Sequence, residues 1–212
     1  MKRFHLITIF PEIFGSYLGE SLMKRAREKK ILSALAVNLR DFSRDRHHKV
    51  DDRPFGGGPG MVLQIEPVYR AVESIKRKTK KKTRTILFST RGKKLDAKTA
   101  KRLSKFDDLI LICGRYEGVD ERVAQHVADE EISIGDYVLS GGELPALVLM
   151  EAVSRFIPGF LGKVESLEEI NGSFPTYSRP EVFIPKKGKK WVVLPILLSG
   201  DHKKIAEWRK GE

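Results

Sequence analysis

The chain has 212 residues, of which 41% are hydrophobic, so it can form one compact domain with a sizeable core, which argues against a disordered chain. The formal net charge of +12 suits a polyanionic partner, either nucleic acid or an anionic membrane surface, although a basic surface that only aids solubility gives the same total. The single cysteine, Cys113, excludes an intrachain disulfide framework and fits a reducing, cytoplasmic setting.

The N-terminus is basic and then apolar, which loosely imitates a signal peptide. Pro11 and Glu12 end the apolar part early, and no small-residue cleavage site follows. A first buried strand is therefore the better interpretation. No apolar run along the chain is long enough to span a bilayer.

Strand and helix patterns then alternate up to residue 156. Short apolar runs predict strands, and apolar residues spaced three or four apart predict helices. The predicted strands cover 4–10, 35–39, 85–89, 108–113 and 131–134, and the predicted helices cover 11–30 with a break near Gly19, 66–78, 96–103, 120–127 and 143–156. This order predicts an α/β fold with a mainly parallel sheet and helices on both faces.

Three loops leave the carboxyl ends of the predicted strands, where parallel sheets bind ligands: 89–94, 114–118 and 134–142. In the third loop, Gly135, Gly141 and Gly142 let the backbone turn sharply or approach a ligand closely. Turn formation alone would also explain these glycines. We expect the three loops to converge on one pocket and the third to wrap a small planar ligand.

The long segment from 40 to 60 combines alternating charges with a glycine cluster, and loops of this length are usually functional or disordered. His47 and His48 are adjacent and would point apart, so a solvated loop is a better interpretation than a zinc site. Substrate binding remains an equal alternative. The basic run at 76–84 is by default a solvated loop tip that can add nonspecific attraction for phosphates.

Several common catalytic motifs are absent from the sequence: a phosphate-binding glycine loop with a lysine, a dinucleotide fingerprint and a serine nucleophile elbow. Cys113 follows a strand and could be a thiolate nucleophile, but a small buried residue is the better interpretation. The residues by themselves predict an α/β enzyme or binding protein with a backbone-lined pocket and a basic surface. They do not identify a reaction.

Four motifs resemble those of bacterial tRNA (guanine-N1)-methyltransferases, the TrmD family: DDRPFGGGPGM at 51–61, CGRYEGVDERV at 113–123, SIGDYVLSGGELPA at 133–146 and SRFIPG at 154–159. The resemblance implies a SPOUT fold with a deep C-terminal trefoil knot and a homodimer. It also implies S-adenosylmethionine as methyl donor, tRNA as substrate and an association with magnesium. The implied reaction methylates N1 of the guanosine just 3′ of the anticodon, position 37.

The resemblance also assigns site residues at matching positions. Arg155 matches the family arginine that acts on the guanine, where a guanidinium would stabilise negative charge on the carbonyl oxygen. A helix-end arginine that neutralises the helix dipole is the structural alternative. The loop residues that match a tRNA contact are Asp51, Arg53, Gly57 and Gly58. The expected donor site comprises Ser89, Gly114, Tyr116, Glu117, Ile134, Gly135, Asp136, Tyr137, Val138, Leu139, Gly141, Gly142 and Pro145.

The linker departs from the family pattern. The family takes its general base, which must accept the proton of guanine N1, from an aspartate, but that position falls on Ile170. Glu168 or Glu169 could substitute, although both also fit solvated linker charges. A second hypothesis is therefore a donor- and RNA-binding knotted protein with weak or lost catalysis. A related knotted enzyme that modifies another RNA base is the third.

The motifs divide the chain into three expected parts. Residues 1–160 would form the knotted donor-binding domain, 161–176 a shortened linker, and 177–212 a truncated tRNA-binding extension. Asp201 is a candidate cap for a short helix at about 201–210. Because the chain ends soon after Trp208, we expect most of the family's C-terminal helical domain, which helps to grip the tRNA, to be absent.

Overall fold

A computed structural model describes residues 1–79, 82–162, 172–186 and 188–211. The chain forms two compact units, Met1–Gly162 and Lys163–Glu212. Glu168, Glu169 and Ile170 lie outside the described residues. No helix within the described ranges is long and apolar enough to cross a membrane.

The first unit is built on a parallel sheet with the strand order β2-β1-β6-β5-β7. Its strands are β1 (Lys2–Thr8), β2 (Leu32–Asn38), β5 (Thr83–Lys94), β6 (Asp108–Ile112) and β7 (Glu130–Ser133), and the short strands β3 (Asp51–Asp52) and β4 (Val62–Leu63) form a separate antiparallel pair. The helices are α1 (Gly15–Leu18), α2 (Ser21–Glu28), α3 (Ile65–Lys78), α4 (Ala97–Leu103), α5 (Glu121–His126) and α6 (Glu143–Ser154), with 3₁₀ turns at Pro11–Phe14 and Leu39–Phe42.

The sheet is covered on both faces, as the apolar strand β6 predicts. Leu109 and Leu111 point into one core with residues of α2, α4 and α6, whereas Ile110 and Ile112 point into a second core with residues of α3 and α5. Every residue of β6 is buried. A strand between two apolar layers has no solvent face, which explains why its sequence shows a continuous apolar run instead of alternation.

The predicted loop at 89–94 is wrong, because β5 continues through it to Lys94. The pairing of β5 with β7 shifts register between Phe88 and Lys93, so the strand bulges and then pairs again. Gly92 makes this possible, since a Cβ there would lie 2.6 Å from the backbone nitrogen of Ile132. β1 also begins earlier than predicted, at Lys2. This lysine can occupy a buried strand position because its long side chain lets the ammonium group donate to a backbone carbonyl.

After β7 the chain crosses closely over the segment that follows β6. The amide of Gly142 donates to the carbonyl of Gly114 at 2.9 Å, and Arg115 and Gly141 form an antiparallel bridge. A Cβ on Gly142 would lie 2.6 Å from the Cα of Cys113. Helix α6 then packs against β1 and α4. The two segments therefore cross with their backbones in contact, which only glycine allows at this position.

The second unit contains the antiparallel pair β8 (Val182–Phe183) and β9 (Trp191–Val192), followed by α7 (Pro195–Leu198) and α8 (His202–Lys210). The carboxylate of Asp201 accepts a hydrogen bond from the amide of Lys204 at 3.1 Å, which confirms the predicted helix cap. The rings of Phe183 and Trp191 contact each other across the strand pair, tilted by 39° with 5.4 Å between their centroids.

Candidate functional site

A cleft of about 470 Å³ lies at the carboxyl ends of β5, β6 and β7. Three segments meet there: 87–91 from β5, 114–119 after β6, and 131–142 from β7 onward. The structure brings the following predicted donor-site residues together in the lining: Ser89, Gly114, Tyr116, Glu117, Ile134, Gly135, Tyr137, Val138, Leu139, Gly141, Gly142 and Pro145.

Asp136 is the predicted donor-site residue that lies outside this lining. Its carboxylate forms an ion pair with Lys94, and both side chains are exposed. Main-chain atoms of the same loop remain beside the cleft through Gly135 and Tyr137.

The glycines of the third segment are needed first by the protein itself. A Cβ on Gly141 would lie 2.4 Å from Nε of Arg115, and one on Gly135 would lie 2.3 Å from the ring of Tyr137. Packing against Arg115 of the second segment therefore explains Gly141 without a ligand, whereas the close contact at Gly135 is with Tyr137 of its own segment. The same packing leaves main-chain groups uncovered along the wall of the cleft, which is the property that a backbone-reading site needs.

Internal hydrogen bonds hold the third segment in shape. The hydroxyl of Ser133 donates to the carbonyl of Gly135 at 3.0 Å, and the hydroxyl of Tyr137 donates to the carbonyl of Ile134 at 3.3 Å. The apolar side chains of Ile134 and Leu139 lie in the same lining. The wall of the cleft thus combines peptide groups with flat apolar surface, a combination suited to an aromatic heterocycle.

A buried carboxylate fixes the crossing beneath the cleft. Glu143 accepts hydrogen bonds from the hydroxyl of Thr8 at 2.7 Å and from Nε of Arg115 at 2.9 Å. Burial, and after it the charge of Glu143, raises the pKa of the Cys113 thiol well above its usual value. A thiol held protonated is a poor nucleophile, so Cys113 serves as a small buried residue.

Sequence reasoning missed a charged cluster in the cleft, formed by Arg91, Glu121 and Glu131. Nη2 of Arg91 lies 2.5 Å from Glu121 Oε2 and 3.9 Å from Glu131 Oε1, and the hydrogen bond with Glu121 raises the pKa of Arg91. Glu131 Oε1 is buried and has no hydrogen-bond partner among the described residues. The three side chains come from β5, α5 and β7, so no spacing in the sequence could reveal them.

The predicted substrate loop is joined to the second segment of the cleft. Asp51 pairs with Leu63 in the β3–β4 pair, and the amide of Glu117 donates to the carbonyl of Met61 at 3.0 Å. A Cβ on Gly60 would lie 2.5 Å from Cγ of Glu117. Arg53 is exposed, and Gly57 and Gly58 are exposed with positive φ angles.

Arg155 lies at the C-terminal end of α6, half-buried and outside the cleft lining. Pro145, near the start of the same helix, lines the cleft. Ten residues of helix separate the two, or about 15 Å. Glu168 and Glu169, the proposed substitutes for the missing aspartate, are outside the described ranges. The structure thus does not bring Arg155 into the cleft of its own chain.

Comparisons with known proteins agree with this architecture. A family model described as tRNA (Guanine-1)-methyltransferase TrmD matches residues 1–212. The chain is 48% identical to a tRNA (guanine-N(1)-)-methyltransferase of Clostridioides difficile (strain 630), over 99% of this chain and 91% of that protein. It is 47% identical to the protein of the same name from Carboxydothermus hydrogenoformans, over 98% and 81%.

A solved structure is also similar. The crystal structure of tRNA (m1G37) methyltransferase from Aquifex aeolicus superimposes with a TM-score of 0.81 and 39% sequence identity. The match covers 98% of this chain and 87% of that one. At this similarity the two chains share their fold, so the expected α/β knot is confirmed.

Proposed function

The chain belongs to the TrmD family of tRNA (guanine-1)-methyltransferases, and on that basis we propose that it methylates N1 of guanosine 37 in tRNA with S-adenosylmethionine as donor. The observation that carries this proposal is the convergence of three family-matched segments on one cleft at the crossing of the chain. The product is N1-methylguanosine beside the anticodon.

The cleft suits the donor in charge as well as in shape. S-adenosylmethionine combines a flat adenine, two ribose hydroxyls and a charged tail that is cationic overall, and it supplies the methyl group. The charged lining residues of the cleft are Arg91, Arg115, Glu117, Glu121 and Glu131, with a formal sum of −1. Glu131 Oε1, buried without a hydrogen bond from any described residue, is positioned to accept one from a hydroxyl or ammonium group.

Two kinds of group would act on the guanine: a cation that stabilises negative charge on the ring and a base that accepts the N1 proton. As N1 loses its proton, negative charge develops on the guanine carbonyl oxygen, and the guanidinium of Arg155 would stabilise it. We assign the proton to Glu168 or Glu169, whose carboxylates take the place of the family aspartate. Asp51, Arg53, Gly57 and Gly58 would contact the tRNA beside the second segment of the cleft.

In a homodimer, Arg155 of one chain could lie beside the cleft of the other chain. About 15 Å of helix separates Arg155 from the cleft of its own chain. Phe10, directly before the 3₁₀ turn at Pro11–Phe14, and Ile13 within it are exposed, as are Leu144 and Val148 on α6, and the turn packs against α6. Contiguous exposed apolar side chains are typical of protein interfaces. We propose that this face binds a second copy, so that each Arg155 acts at the cleft of its partner.

Magnesium does not fit the residues that line the cleft. Glu121 and Glu131 converge on the guanidinium of Arg91, a cation that occupies the place a metal ion would take between them. No group of three or more His, Cys, Asp or Glu residues is arranged to hold a metal ion in the part of the chain that the structure describes. A cytoplasmic location, where tRNA is modified and Cys113 stays reduced, completes the proposal.

The decisive experiment is a methylation assay of the purified protein with donor and a tRNA that carries guanosine at position 37. We expect N1-methylguanosine by mass spectrometry, and we expect Arg155→Ala to lower kcat by about 10²–10³, the effect of removing one donor to a developing oxyanion. Arg25→Ala, at an exposed position of α2, is the matched control and should keep full activity.

The possible outcomes separate the parts of the proposal. Donor binding by calorimetry without product would favour the binding protein with lost catalysis. An active Arg155→Ala would remove only the role of that arginine. Full activity of the double variant Glu168→Gln/Glu169→Gln would remove only the assignment of the base.

A further inference from the structure

The end of the sheet opposite the cleft carries a dense set of exposed cations. The amide of Lys2 donates to the carbonyl of Ile31, and the amides of Asp107 and Asp108 donate to the carbonyl of Lys82. The segments that precede β2, β5 and β6 therefore meet at the start of β1. Their exposed cations, which we call the basic pole, are Lys29, Lys30, Arg77, Lys78, Lys82, Lys101 and Lys105.

Acidic side chains near the basic pole are mostly turned inward or paired. Asp108 is fully buried and accepts hydrogen bonds from Arg3 at 2.6 Å and His5 at 2.8 Å. Glu130 pairs with Arg84 and Arg102. Asp129 accepts a hydrogen bond from the amide of Thr85 at 2.6 Å, and Glu28 and Asp107 are further acids at this end. No residue of the basic pole has an ion pair within the described ranges. Nζ of Lys82 lies 4.7 Å from the ring centroid of Phe106, a contact that adds no negative charge, so the positive charge of the basic pole is left for solvent or a partner.

Compensation of helix dipoles does not account for all of this charge. Helices α2, α3 and α4 all end here, and cations near helix C-termini are favourable. At α4, however, the buried ammonium of Lys2 already performs this role, since it donates to the carbonyls of Leu103 at 2.7 Å and Phe106 at 2.5 Å. Lys101 and Lys105 are therefore additional to what the helix end requires.

We infer that the basic pole binds the phosphate backbone of a double-helical part of the tRNA, away from the nucleotide that enters the cleft. This inference rests on the proposed function. The seven residues of β1 separate the two ends by about 23 Å. A nucleic-acid duplex covers that distance in about seven base pairs. Lysines act here as point charges, so the contact would attract phosphates without reading sequence.

The test compares two variants with equal loss of charge. Lys29→Gln/Lys30→Gln/Lys105→Gln neutralises part of the basic pole. Lys24→Gln/Lys93→Gln/Lys98→Gln neutralises three exposed lysines elsewhere in the first unit. Binding is measured by fluorescence anisotropy at several salt concentrations, with full-length tRNA and with an isolated anticodon stem-loop.

For full-length tRNA, we expect the pole variant to raise Kd about tenfold. We also expect the slope of log Kd against log salt to fall by about one for each phosphate that the variant no longer neutralises. The stem-loop should bind wild type and pole variant equally. The control variant should change Kd for full-length tRNA by less than about threefold, because its lysines lie away from the proposed contact.

Equal effects of the two variants, or an equal effect of the pole variant on both RNAs, would overturn the inference. The binding measurement does not depend on turnover. A protein that binds tRNA through the basic pole but makes no N1-methylguanosine would therefore refute the proposed function and still support the inference about the basic pole.

Discussion

The two ends of the same sheet use charge in opposite ways. At the cleft end, cations are paired across segments, as in Arg115 with Glu143, Arg91 with Glu121 and Lys94 with Asp136. At the basic pole, the acids are mostly buried or paired and the lysines remain exposed. Paired charges fix the shape of a pocket for one small ligand, whereas exposed cations attract a polyanion of any sequence. A net charge of +12 therefore conceals two different surfaces.

We expect the largest loss of stability at the cleft end when one methyl group is added where the chain crosses itself. Gly142→Ala places a Cβ 2.6 Å from the Cα of Cys113, where backbone cannot move aside. We expect a loss of about 3 kcal/mol or more in the free energy of unfolding, measured by urea denaturation. Gly15→Ala, in α1 with no atom within 4 Å of the new Cβ, is the control and should be neutral or slightly stabilising. Equal stability of the two variants would contradict the tight crossing.

At the opposite end, the buried ammonium of Lys2 should make stability depend on pH. Desolvation lowers its pKa from 10.5 to about 8, against the attraction of Asp107 and Asp108. Between pH 8 and 10.5 the unfolded chain binds more protons at this group than the folded one, so unfolding free energy should rise with pH, by up to about 3 kcal/mol.

The measurement is a urea titration repeated from about pH 7.5 to about pH 10.5 on wild type and Lys2→Met, a range that spans both pKa values of the group. The variant should lack the rise that wild type shows, and Lys24→Met, on exposed α2, should keep it. The same slope in Lys2→Met and wild type would show that Lys2 is not the titrating group.

The smallest expected effect comes from a substitution in the proposed donor pocket that leaves the backbone around it unchanged. Glu131→Gln keeps the shape of the side chain and removes the charge of the carboxylate whose Oε1 lacks a hydrogen bond within the described part of the chain. We expect affinity for S-adenosylmethionine, measured by calorimetry, to fall about tenfold, or about 1.4 kcal/mol. Glu73→Gln, on α3, should bind the donor as wild type does. Unchanged affinity in Glu131→Gln would remove this carboxylate from the site.

The sequence predicted most elements of the first unit because their signals are local. The continuous apolar run of β6 and the helical periodicity of α3 each depend on neighbouring residues, as does the cap at Asp201 in the second unit. The prediction failed at 89–94, where β5 continues as a strand. Its outer part is polar and partly exposed, and it pairs only through a bulge that a distant strand, β7, imposes. Pairing between distant segments leaves no periodic signal.

The sequence by itself determined the α/β order, the family motifs and the residues of three segments around one cleft, because short-range patterns and matched motifs carry that information. Only the tertiary structure decided that Gly141 and Gly142 are needed by the crossing itself, that Arg91, Glu121 and Glu131 meet in the cleft, that Arg155 lies a helix length away from it, and that scattered lysines gather at the opposite end. The physical reason is that a parallel sheet brings together residues far apart in the chain, and contact distances between them are set by packing rather than by spacing along the sequence.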